Sequence, residues 1–157
     1  MTENDSRDAL ILLGCPQVPV QTSMALYLVH NLAQRGIRPV IAGTPAARKL
    51  MEVADPGRHY LEEMTDIDAA IDEITEKRRD FDLCFVFIHN DSGVAYAGTM
   101  AYISEARVYA LIFGEHAEDL AGEIEFHCEV VAAKATHNPM PLKRRLDEVM
   151  QWAVLKH

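Results

Sequence analysis

Cys15 sits at the corner where an aliphatic run, ALILLG (9–14), gives way to CPQVPVQTS, and a thiol placed there is a candidate nucleophile or sulfur carrier. His89 and Asp91 belong to HNDSG (89–93), where a second apolar run stops. An imidazole and a carboxylate two residues apart could work as an acid/base couple. Cys15, His89 and Asp91 are therefore the catalytic candidates. Groups able to orient a ligand surround them: Pro16, Gln17, Gln21 and Thr22 beyond the first run, and Thr44 beyond IRPVIAG (37–43). Asn90 and Ser92 lie in HNDSG, His116 follows Gly114 and Glu115, and His137 and Asn138 open HNPMP (137–141).

Plainer roles compete with these. Cys15 could be a small buried hydrophobe closing its turn, and Thr22 or Ser23 an ordinary helix cap. HNDSG could be a capped turn in which His89 and Asp91 point apart. Cys15, His89, Asp91, His116 and His137 together would suit zinc or iron, yet no C-x-x-C or H-x-x-x-H pair anchors such a set, so no metal is assigned. A phosphate-binding G-x-x-x-x-G-K-S/T loop and a G-x-G-x-x-G turn are both absent, Gly14 being the one glycine of its loop. A phosphate would have to be held by helix N-termini and side chains. No cofactor is named by the sequence.

These residues need a scaffold that gathers them. ALILLG, IRPVIAG, FDLCFVFI (81–88) and VYALIFG (108–114) read as strands buried on both faces, with a fifth around Glu129–Ala133, where helix is the alternative. Pro39 argues for the start of its strand or an edge. Between them SMALYLVHNLAQRG (23–36), PAARKLMEVA (45–54), DIDAAIDEITEKRRD (66–80) and VAYAGTMAYISEAR (94–107) have helical patterns. Thr44 reads as an N-cap with Pro45 at the first helical position. Residues 55–65 read as irregular, 115–125 as a short helix, and LKRRLDEVMQWAVL (142–155) as a closing helix. Alternating strands and helices predict an α/β chain: a three-layer α/β/α sandwich around an open, mostly parallel, Rossmann-like sheet of about five strands. Every candidate residue then falls at a strand's carboxyl end, where such sheets bind ligands.

At 157 residues the chain suits one domain (9–157) behind a flexible N-terminal arm (1–8), enough to bury about 70% of its unfolded surface. The formal charge of −9 disfavours unspecific binding to nucleic acid or anionic membranes. The small basic clusters, KRR at 77–79 and at 143–145, sit among acids and read as solvated helix faces. Three cysteines without a C-x-x-C point to a reducing cytoplasm. Cys84 lies mid-strand and reads as core. Helix 94–104 carries no charge and several small residues, so it is buried on several sides, within the monomer or, as the favoured reading, against a second copy in a two-fold homodimer.

LGCPQVPVQTSMALYLVHNL, VADPGRHY, HNDSGVAYAGTMAYI, ALIFG and HNPMPL closely resemble a domain-of-unknown-function family of methanogenic archaea. That resemblance implies a cytoplasmic α/β/α sandwich with a role in methanogen physiology, and it carries no catalytic residue with it. LYLVHNLAQRGIRPVIAG is more loosely similar to the first unit of DsrE-type sulfur-relay proteins, which pass persulfide sulfur on a cysteine; here the cysteine ends the first strand instead. The leading expectation is a protein that binds a small anionic or phosphate-bearing metabolite or cofactor at the sheet's carboxyl edge. The alternatives are a thiol or sulfur carrier using Cys15, and a structural subunit of a larger assembly.

Overall fold

The computed structural model describes residues 7–152. Among the described residues, six strands form one parallel sheet: β1 (Arg7–Leu13), β2 (Ile37–Gly43), β3 (Glu63–Thr65), β4 (Leu83–Ile88), β5 (Arg107–Ile112) and β6 (Glu129–Ala132). Their spatial order is β3-β2-β1-β4-β5-β6, so the winding reverses between β1 and β4. Helices α1 (Val20–Gln34), α2 (Pro45–Ala54), α3 (Ile67–Thr75), α4 (Asp91–Ile103), α5 (Ala117–Gly122) and α6 (Met140–Met150) connect and close the strands.

Both faces of the sheet are covered, which is why its central strands are apolar without alternation. Ala9, Ile11 and Leu13 of β1 pack with α1, α2 and α6; Leu10 and Leu12 pack with α3, α4 and α5. Each large aliphatic side chain buried this way contributes roughly 1.5–3 kcal/mol. Cys84 lies in the second layer, and burial first, with the charge of Asp80 second, pushes its thiol up to about 12. It is core, as its mid-strand position implied.

Several expectations need correction. The sheet has six strands, because β3 hides in the segment read as irregular. It is three residues long and pairs with Val40–Ala42 alone. Pro39 lies just short of that pairing, where β2 has a neighbour on one side only, so its missing N–H costs no ladder bond. The segment before β3 is organised by Asp55, whose carboxylate accepts the backbone N–H groups of His59, Tyr60 and Leu61 at 2.9 Å each. Burial alone would raise its pKa, but those three donors hold it below the ordinary aspartate value.

Strand β1 begins at Arg7, two residues before the expected boundary; residues 1–6, expected to belong to the flexible arm, lie outside the described residues. Helix α1 starts three residues early, at Val20, because Pro19 already has helical dihedrals (φ −57°, ψ −31°). Thr22 and Ser23 therefore fall inside its first turn and cap nothing; the Ser23 hydroxyl donates back to the Val20 carbonyl. Helix α3 stops at Thr75 and Lys77 turns left-handed (φ 58°), so the first KRR cluster lies beyond it. Arg79 there pairs with Glu63 at 2.6 Å, and in the second cluster Lys143 pairs with Asp147 at 2.9 Å and Arg145 with Glu148 at 2.7 Å. Helix α6 ends at Met150, Gln151 adopts φ 44°, and Trp152 folds back to bond Asp147. Residues 153–155, expected to continue that helix, lie outside the described residues.

Candidate functional site

The reversal between β1 and β4 splays the outgoing loops apart, and the crevice there is the usual ligand position of such a sheet. Parallel register brings the exits side by side. Leu13 of β1 is paired with Gly43 of β2, and the Thr44 N–H donates to the Leu13 carbonyl at 3.2 Å. On the other side of β1, the Phe113 N–H donates to the Ile88 carbonyl at 2.9 Å, so the ends of β4 and β5 are locked as well.

Two chambers open along this edge. The smaller holds about 150 Å³, and Cys15, Thr44, His89, Asn90 and Ser92 line it. The larger holds about 480 Å³, and Gln17, His89, His116 and His137 line it. His89 belongs to both. Eight of the thirteen predicted site residues are thus brought together, in two groups. Cys15 is exposed, so it is no buried hydrophobe; it is the one exposed thiol among the described residues.

The loop from Gly14 to Pro19 is held, not loose. The Gln17 N–H donates to the Cys15 carbonyl at 2.9 Å, and the Val20 N–H to the Thr136 carbonyl at 3.1 Å. Gly114, in the left-handed region at φ 94°, donates to the Ala135 carbonyl at 2.8 Å. A substituent-free residue is required at that turn. These bonds pin the wall of the larger chamber to the β6–α6 connection.

The start of α1 is not the anion site its position suggested. Its Val20 N–H is spent on Thr136, its Gln21 N–H on the Val18 carbonyl at 3.2 Å, and Pro19 has none to give. The start of α4 is better placed. Asn90 caps it, receiving the Gly93 N–H on its side chain at 3.2 Å, while the amides of Asp91 and Ser92 have no acceptor among the described residues. Thr44 caps α2 as expected, accepting the Ala47 N–H at 3.3 Å, which leaves its hydroxyl proton free to donate. Gly93 permits this geometry: a Cβ there would lie 2.9 Å from the Ile88 Cα, so only glycine lets α4 start this close to β4.

Five candidates take other roles. Gln21 is 1% exposed and donates from Nε2 to the Gly14 carbonyl at 2.9 Å; it fastens the β1 exit, with Oε1 left unpartnered. Asp91 turns to Glu123, whose carboxyl is raised first by the charge of Asp91 and then by a hydrogen bond with it. His89 and Asp91 therefore form no couple. Asn138 accepts the Met140 N–H at 3.1 Å, Thr22 stays in the first turn of α1, and Pro16 stiffens the loop without lining either chamber. Among the described residues no three His, Cys, Asp or Glu side chains come together as a metal site.

His89 is the perturbed group of the site. Its ring lies 5.5 Å from that of Phe113, and burial lowers its pKa, keeping the imidazole neutral near pH 7. Its Nε2 is buried and has no hydrogen-bond partner among the described residues. With Cys15 and the Ser92 and Thr44 hydroxyls on the same small chamber, this edge offers uncharged donors and one soft nucleophile.

Residues 10–149 match the family described as "Domain of unknown function (DUF1890)". The chain belongs to that family. It is 34% identical over 148 residues to "Uncharacterized protein MJ0452" of Methanocaldococcus jannaschii, covering 90% of this chain and 95% of that one. It is also similar to the solved "Structure of MT0777", with TM-score 0.85 and 39% identity over 92% of this chain and 97% of that chain. The resemblance to a methanogen family read from the residues is thereby borne out.

For this DUF1890 chain, reading the residues alone missed Tyr96 in the small chamber and Glu115 and Thr136 in the large one. A signal existed for Tyr96, which stands four residues after Ser92 on the same face of α4. Glu115 and Thr136 adjoin His116 and His137 in the chain. Arg48, one turn after Thr44, brings a guanidinium to the β2 exit, where its Nε donates to the Gly43 carbonyl at 3.1 Å. Among the described residues, no helix is long and apolar enough to cross a membrane.

Proposed function

We propose that this protein binds a small anionic metabolite or cofactor in the crevice between β1 and β4. The observation that carries the reading is the small chamber: about 150 Å³, bounded by the uncommitted start of α4, the hydroxyls of Ser92 and Thr44, Cys15 and His89. Free amides and the positive end of a 13-residue helix favour an anion. The chain's overall charge of −9 repels anions at long range, so binding rests on these local donors.

Calorimetry with sulfate and inorganic phosphate tests this, comparing wild type with Ser92→Asp. Aspartate suits the first turn of a helix, so the variant stays folded, yet it puts a carboxylate into the chamber. Binding should fall at least tenfold, about 1.4 kcal/mol. Equal affinity in the variant would move the site elsewhere.

A second reading, a thiol or sulfur carrier, is favoured by the exposure of Cys15 and its place on the same chamber. Iodoacetamide should then modify Cys15 ahead of Cys84 and Cys128, and sulfate should protect it. Labelling indifferent to sulfate would separate the thiol from the anion site. Within the same proposal the protein lies in the cytoplasm and pairs with a second copy through α4.

A further inference from the structure

We infer that the ligand is a phosphate monoester lying across His89, with its anionic head in the small chamber and an uncharged polar organic part in the large one. This rests on the anion-binding reading above and extends it. The first support is size. About 150 Å³ is the share of roughly five liquid water molecules, enough for a compact anion and little more. About 480 Å³ falls within the range of pockets that hold whole small molecules. A bare anion would leave the larger chamber unused.

The second support is His89, which lines both chambers. A ligand that reaches from one chamber into the other must therefore pass the His89 ring.

The third support is the chemistry of the larger wall. Gln17, His116, His137 and Thr136 offer hydrogen bonds, and Glu115 adds a negative charge; the wall has no lysine or arginine. Such a surface accepts a hydroxylated ring or heterocycle and disfavours a second phosphate. The absent glycine-rich loop agrees, since Pro16 and Pro19 remove amides that would cradle a diphosphate. The wall is also preformed, because the Val20 and Gly114 amides hold it to the β6–α6 connection.

The test uses the full chain and calorimetry with inorganic phosphate, ribose 5-phosphate, AMP, ADP and adenosine. Ribose 5-phosphate or AMP should bind at least tenfold tighter than inorganic phosphate, and ADP should be no tighter than AMP. His137→Ala, at an exposed position, should remove that gain while leaving inorganic phosphate unchanged. Ser92→Asp should weaken every phosphate tested. If inorganic phosphate binds and neither monoester binds tighter, the spanning ligand is overturned while the anion site stands. If no phosphate binds, both readings fall. Adenosine binding as tightly as AMP, or ADP binding tighter than AMP, would also overturn the inference.

Discussion

If the crevice binds an anion as proposed, His89 should couple that binding to protonation. Burial holds its imidazole below the ordinary value of 6.5, so the unfolded chain takes up a proton more readily than the folded one. The empty protein therefore loses stability as pH falls through about 6.5 towards the folded value, and above that range His89 contributes no such loss. A bound anion reverses the preference by favouring the imidazolium, so binding takes up a proton and affinity rises on acidification. Sulfate, fully ionised throughout, should bind more tightly at pH 5.5 than at pH 7.5 in wild type and nearly equally in His89→Gln. His116, His137 and Glu115 also face the larger chamber, which is why the comparison with that variant isolates His89. A wild-type profile flat in pH would mean that the anion does not border this ring. The meeting of Cys15, Thr44 and His89 was legible from the sequence, because parallel strand exits must share an edge. The departures of Gln21 and Asp91 were not. Both sit in the first turn of a helix, where direction depends on where the helix starts, and α1 and α4 both start three residues before their apolar patterns suggest.

At the scale of elements, the crevice depends on α1 being held against α6, and one carboxylate joins them. Asp147 of α6 accepts the Tyr27 hydroxyl at 2.5 Å and the Trp152 indole N–H at 2.8 Å, and Lys143 lies 2.9 Å away. Burial alone would raise its pKa, yet these three donors hold it below the ordinary range. Its contribution is thus full above the unfolded aspartate value and is lost as pH falls through the folded one. Asp147→Ala strands two donors and removes charge-assisted bonds, for a loss of about 2 kcal/mol. For a chain of this size that is a fall in Tm of roughly 4–8 °C. Calorimetric unfolding at pH 7 checks it, and an unchanged Tm would mean α6 is held by Leu142, Leu146 and Met150 alone. Strand identity was legible wherever apolar runs were long, as in β1, β2, β4 and β5. Short β3 was not, since Glu63, Met64 and Thr65 form no alternation and the strand exists through pairing with Val40–Ala42. Helix ends were misread where a backbone event decided them: Pro19 starting α1, and left-handed Lys77 and Gln151 following α3 and α6.

For the whole molecule, the proposed pairing of two copies through α4 makes a testable prediction. The lack of charge along residues 94–103 of α4 is partly accounted for within the chain, because Ala97 and Met100 are buried against the sheet. Its outer side is not. Tyr102 is 91% exposed and stands beside a groove of about 400 Å³ lined by Gly98, Ala101 and Phe126, at the amino ends of β5 and β6. A projecting ring next to a groove lined in part by small residues suits self-association: in the proposed two-fold pair the Tyr102 of each copy would enter the groove of the other. Each copy carries −9, so long-range repulsion would oppose such a pair and the contact around Tyr102 would have to supply the attraction. Salt screens that repulsion, and raising it should therefore strengthen the dimer. Sedimentation should give twice the 17.6 kDa chain mass at micromolar concentration, more completely at 0.5 M salt than at 0.05 M. Tyr102→Glu should give monomers while leaving sulfate affinity intact, because the groove and the crevice lie at opposite ends of the sheet. A wild-type monomer at both salt concentrations would sink the pairing, and a variant that lost sulfate binding together with its partner would show that the crevice needs both copies.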